Sequence, residues 1–88
     1  MTLYRIVFLF LRSLAKGQQF THKDVMDFLS CGRRQAIVYI RLAERLGYIH
    51  RVKARPAIYR VSKIPESIEE MYEKTEEIEE KEDRDGGS

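Results

Sequence analysis

The chain lacks tryptophan and asparagine altogether and carries one cysteine, two prolines and two histidines. A single cysteine forbids an intrachain disulfide, so a reducing, cytoplasmic setting is the expectation. His, Cys and acidic residues do not cluster at ligand spacing, and no metal site is expected. There is no glycine-rich phosphate loop. Ser, His and acidic residues never fall into a triad order with supporting motifs. The chain therefore reads as no enzyme, with no catalytic residue, no cofactor and no small-molecule ligand evident. The longest apolar run, Ile6 to Leu11, has six residues, too short to span a membrane. Arg5 and Arg12 bracket it and no small-residue cleavage site follows, so it reads as part of a helix rather than a targeting segment. With 88 residues the chain is one domain and cannot form a two-lobed enzyme. A core that small is marginal, which makes a dimer interface an attractive second source of burial. Abundant Arg, Lys and Glu beside absent Asn fit a heat-adapted source, and small archaea and their viruses fit that composition.

What is present is charge, and it is segregated. The overall balance is only +2. Residues 1–65 hold 13 Lys and Arg against Asp24, Asp27 and Glu44, a net +10. Residues 66–88 hold Lys74, Lys81 and Arg84 against 11 acids, a net −8. A basic body followed by an acidic tail points to a polyanionic partner for the body. Heat-adapted surface charge would explain the number of charges but not their separation.

Thr2 is placed to cap a first helix, with Lys16-Gly17 as its last-turn cation and closing glycine. Leu3, Ile6, Val7, Phe10 and Leu14 form its apolar stripe, and Tyr4, Phe8 and Leu11 widen it to an arc of about 200°. That width predicts packing on two things, its own core and something else. Gln18 to Phe20 reads as a connection with a stub of strand. Thr21 caps a second helix, with Asp24 three residues on as a weaker capping box and Val25, Phe28 and Leu29 on the buried face. Ser30-Cys31-Gly32 breaks the pattern. A third helix runs from about Arg33 to Leu46 and closes at Gly47. Two helices joined by about three residues including Gly have the helix-turn-helix spacing.

On a helical wheel of the third helix, Ala36, Tyr39, Ile40, Ala43 and Leu46 share one side, and Arg34, Val38, Arg41 and Arg45 fall on the opposite side. Arginines in line along an exposed face suit a helix lying in a major groove, gripping guanine bidentately or clamping phosphate. Arg33 and Gln35 sit in the first turn, where such helices touch base edges. The alternative is a solvated basic face on an ordinary amphipathic helix. Arginine at the N-terminal end opposes the helix macrodipole, which favours an anionic partner. After Gly47 the period changes. Tyr48 to Lys53 reads as a strand, Ala54-Arg55-Pro56 as a tight connection, and Ala57 to Ser62 as the returning strand with Tyr59 and Val61 inward. The hairpin has a basic tip, Lys53 and Arg55.

Helix, short strand, helix-turn-helix and hairpin, in that order over residues 1–63, resemble a winged helix-turn-helix domain. Residues 34–62, RQAIVYIRLAERLGYIHRVKARPAIYRVS, look like the recognition helix and wing of small bacterial and archaeal transcription regulators. The step Leu46-Gly47-Tyr48-Ile49 and the closing Tyr59-Arg60-Val61-Ser62 carry much of the likeness. Cys31-Gly32 departs from the small polar cap common there, and the wing is short. The expected fold is α+β, mainly α: three helices plus a β-hairpin wing over residues 1–63, and an additional C-terminal helix. The resemblance implies sequence-specific binding of double-stranded DNA by a transcription regulator, most simply a repressor. Base contacts would come from Arg33, Arg34, Gln35, Val38, Arg41 and Arg45, and phosphate contacts from Thr21, His22, Lys23, Lys53 and Arg55. The same fold also serves as a protein–protein module, whose basic face would dock an acidic partner or the chain's own tail.

In the tail, Pro65 suits the first turn of a helix reaching Lys81 or Arg84, an acidic amphipathic segment over residues 64–84. Ile64, Ile68, Met71, Thr75 and Ile78 recur at the a and d spacing of a heptad, widened by Tyr72. Two arrangements satisfy this seam. It pairs with its symmetry mate and the surplus arc of the first helix, placing Tyr4, Phe8, Leu11, Ile68, Met71, Tyr72, Thr75 and Ile78 in a homodimer interface that reads an inverted repeat. Or it folds back on its own domain. Residues 85–88 are expected to be disordered. Cys31 is expected to pack in its turn, a redox or metal role being the alternative, and His22 and His50 lack a surrounding ligand set.

Overall fold

Thr2 caps the first helix as its position requires. Its Oγ1 accepts from the Arg5 N–H at 3.3 Å, opening α1 over Leu3–Arg12. In this computed structural model, which describes residues 2–86 and side chains through residue 82, α1 ends four residues before the expected Lys16. The Ser13 hydroxyl donates to the Phe10 carbonyl, and the Leu14 N–H turns back to Leu11 at 3.1 Å, so the last turn tightens and stops. Gly17 is not a helix cap. At φ +84°, where a side chain would be strained, it turns the chain into the sheet, its N–H donating to the Val61 carbonyl at 2.8 Å.

The stub of strand is β1, Gln19–Thr21. Helix α2 follows over His22–Leu29, and its capping box is complete: Thr21 Oγ1 accepts from the Asp24 N–H, and the Asp24 carboxylate accepts from the Thr21 N–H at 2.8 Å. Ser30, left-handed at φ 51°, ends α2. Helix α3 spans Arg33–Arg45, buries Ala36, Tyr39, Ile40 and Ala43, and gives way to Gly47 at φ +85°. Strands β2, Ile49–Ala54, and β3, Ala57–Val61, form the hairpin. The sheet is antiparallel in the order β1-β3-β2, with Phe20 opposite Tyr59 and Ile49 opposite Val61. A shift of register between Arg51 and Lys53 leaves Val52 as an extra, exposed residue. The described residues thus form a small α+β domain, mainly helical, with four helices and one three-stranded sheet.

The last helix, α4, spans Ile68–Gly86. It starts three residues later than expected, where Ser67 Oγ accepts from the Glu70 N–H at 3.2 Å. Pro65 does not begin it but fills the core as a fully buried side chain. Of the stretch expected to be disordered, residues 85 and 86 belong to α4, and 87–88 lie outside the described residues.

Helix α4 takes the fold-back arrangement, docking on α1 of its own chain. Met71 is fully buried in the same core as Val7 and Leu11. Tyr4 and Tyr72 stack with centroids 4.4 Å apart. Thr75 Oγ1 donates to the Met71 carbonyl, so the Tyr4 hydroxyl donates to Thr75 Oγ1, at 2.7 Å. Leu11 and Met71, expected at a dimer interface, are spent within the monomer. A small core buries its widest apolar arcs against each other first, because that gain needs no second chain. Tyr48 holds the other side of α4. Fully buried, it donates its hydroxyl to Glu70 Oε2 at 2.6 Å, and Lys63 reaches the other oxygen of that carboxylate at 3.8 Å. Burial and the Glu70 carboxylate push the Tyr48 phenol well above its ordinary range, so it stays a donor at any physiological pH.

Candidate nucleic-acid interface

The face of α3 opposite the core is open. Arg33, Arg34, Gln35, Val38, Arg41 and Arg45 are all exposed. Gly32 supplies no side-chain cap, so the first N–H groups of α3 keep their positive end uncompensated beside Arg33. Among the described residues, Arg33, Arg34 and Arg41 have no ion-pair partner, whereas Arg45 is bound to Glu82 of α4 at 3.1 Å. Arg45 shares the wheel position of Arg34 and Arg41 but, as the last residue of α3, it meets the acidic helix rather than open solvent alone.

The start of α2, the start of α3 and the hairpin tip enclose an open cleft of about 800 Å³, lined by Thr21, His22, Lys23, Arg33, Arg55 and Pro56 among others. A smaller recess of about 240 Å³ lies between α3 and the hairpin, lined by Ile37, Arg41, Glu44, Arg51 and Tyr59 among others. His22 and Ala57 belong to both. The structure therefore brings His22, Lys23, Arg33, Arg41 and Arg55 onto one pair of adjoining concavities. Arg34, Gln35, Val38, Lys53 and Arg45 line neither. The histidine is held in place: its ring meets the Tyr59 ring edge-on at 5.5 Å. Partial burial, then the Arg33 and Arg51 guanidinium groups, lower its pKa from the ordinary histidine value.

Arg51 is the cation that the sequence reading did not single out. It sits opposite Tyr59 in the sheet register, its guanidinium 5.9 Å from the ring centroid. The signal was available as a cross-strand pair with an inward tyrosine, but it requires the register, which the bulge at Val52 shifts. Cys31 is half-buried and packs against the core, as its turn predicts. His50 lies apart, its Nδ1 hydrogen-bonded to Ser62.

Among the described residues, no group of three or more His, Cys, Asp or Glu side chains could hold a metal ion, and no helix is long and apolar enough to cross a membrane. Comparison of the chain with protein-family models, with curated proteins and with solved structures returned no match.

Proposed function

We propose that the chain is a winged helix-turn-helix protein that binds double-stranded DNA with sequence preference, as a transcription regulator and most simply a repressor. The observation that carries this reading is the convergence, on two adjoining concavities, of cations from α2, α3 and the hairpin that have no ion-pair partner among the described residues, flanked by the open face of α3. Helix α3 enters the major groove. Arg34 and Arg41 reach base edges or phosphates, and Val38, exposed between them, offers an apolar contact to a thymine methyl. Lys23, at the start of α2, and Lys53 and Arg55, at the hairpin tip, contact phosphate. Two chains reading an inverted repeat with half-sites about 34 Å apart remain part of the proposal. They would join through what α1 and α4 leave uncovered, notably the half-exposed Tyr72.

The test is selection on random duplexes followed by substitution. A preferred sequence is expected to emerge. On it, Arg41→Ala should cost roughly 1–3 kcal/mol and relax preference at one position, while Lys53→Ala weakens all duplexes alike. Enrichment of no sequence, or equal and sequence-blind losses for both variants, contradicts the reading. One observation favours a second reading. The Arg45–Glu82 pair shows that α3 accepts a helical carboxylate, as a protein–protein module docking an acidic partner would.

A further inference from the structure

His22 is the first residue of α2 and forms part of the wall of both concavities. The charged groups around it come from every element packed there. Arg33, Arg41 and Glu44 come from α3, Arg51 from β2, Arg55 from the hairpin tip, and Lys23 from its own helix. Asp24, also on its own helix, is committed to the Thr21 N–H and hydroxyl. Five cations thus line the two concavities with the imidazole, against one carboxylate not already used in capping, and Arg33 and Arg51 act on the ring directly. Such surroundings suit a neutral ring while the cleft holds only water, and a charged ring once an anion enters.

We propose that His22 is a proton-linked phosphate contact: when a backbone phosphate of a bound duplex enters the cleft, the imidazole takes up one proton from solvent and donates to that phosphate. This rests on the duplex-binding reading. The balance is one proton gained by the protein for each site filled, with no bond to carbon or phosphorus formed or broken. In the free protein, burial, then the Arg33 and Arg51 guanidinium groups, lower the ring's pKa from the ordinary histidine value and so favour the neutral ring. The phosphate offsets those guanidinium charges and raises the ring's proton affinity. Binding therefore strengthens as pH falls from above the bound-state pKa to the free-state pKa, and levels off below it.

The probe is a fluorescein-labelled duplex of mixed sequence, titrated by anisotropy at constant ionic strength. Between about pH 8 and about pH 6 the Kd of the wild-type chain should fall roughly threefold to tenfold, at most tenfold per pH unit for one proton. His22→Gln should bind with a nearly flat pH profile, and His50→Gln should keep the wild-type slope. A second readout needs no variant. The His22 ring resonance should titrate below the ordinary histidine value in the free chain and move to higher pH when duplex is added. A flat wild-type profile, a slope that survives His22→Gln, or a His22 titration unmoved by duplex overturns the proposal while leaving duplex binding standing. Absence of duplex binding at every pH overturns both.

Discussion

Raising monovalent salt from about 50 mM to about 200 mM is expected to weaken duplex binding about a thousandfold. Each phosphate neutralised by a Lys or Arg releases condensed counterion, so log K falls with log salt at a slope near −0.9 per contact. Arg33, Arg34, Arg41, Arg51, Lys53 and Arg55 are exposed on α3 and the hairpin, and about six contacts give that thousandfold loss. Arg45 should contribute little, because Glu82 already holds it. Anisotropy at four or five salt concentrations measures the slope. A protein-docking module would give a shallower dependence, since an acidic protein surface carries no condensed ion layer. A nearly flat response would remove the DNA reading.

The second large effect concerns stability. Met71→Asp should destabilise the monomer by roughly 3 kcal/mol or more, because it places a carboxylate in a fully buried apolar site. For a domain of this size that is a large part of the total, and urea denaturation at two protein concentrations should show it equally at both. Tyr72→Asp should cost much less, since Tyr72 is half-exposed and loses only its stack on Tyr4. The comparison separates the two arrangements of the seam. Had Met71 served a dimer interface instead, its aspartate variant would be a folded monomer of nearly unchanged stability.

The buried side of α3 was legible because Ala36, Tyr39, Ile40 and Ala43 recur with the period of a helix, and period is a local property. The cap of α2 was legible because Thr21 and Asp24 are three residues apart. The partner of the α4 seam was not. An apolar stripe has the same spacing whether it meets its own domain or a second chain, since the hydrophobic effect has no direction. Likewise Pro65 is permitted at a helix start, yet burial against the core claims it first. Within the candidate site, the arginines of α3 were readable from the wheel. The pairing of Arg51 with Tyr59 and the adjoining of the two concavities at His22 depend on strand register and on the approach of the hairpin to α2. Neither is written in local spacing.

Mapping the bound duplex onto the chain tests the central claim most directly. With ¹⁵N-labelled protein and a mixed-sequence duplex at low salt, amide shifts should concentrate on Thr21 to Asp24, on Gly32 to Arg41 and on Arg51 to Ala57. Leu3 to Arg12 and Ile68 to Ile78 should stay unmoved. Shifts confined to α1 and α4, or spread evenly over the chain, would contradict the assignment of α3 and its adjoining concavities as the DNA-binding surface.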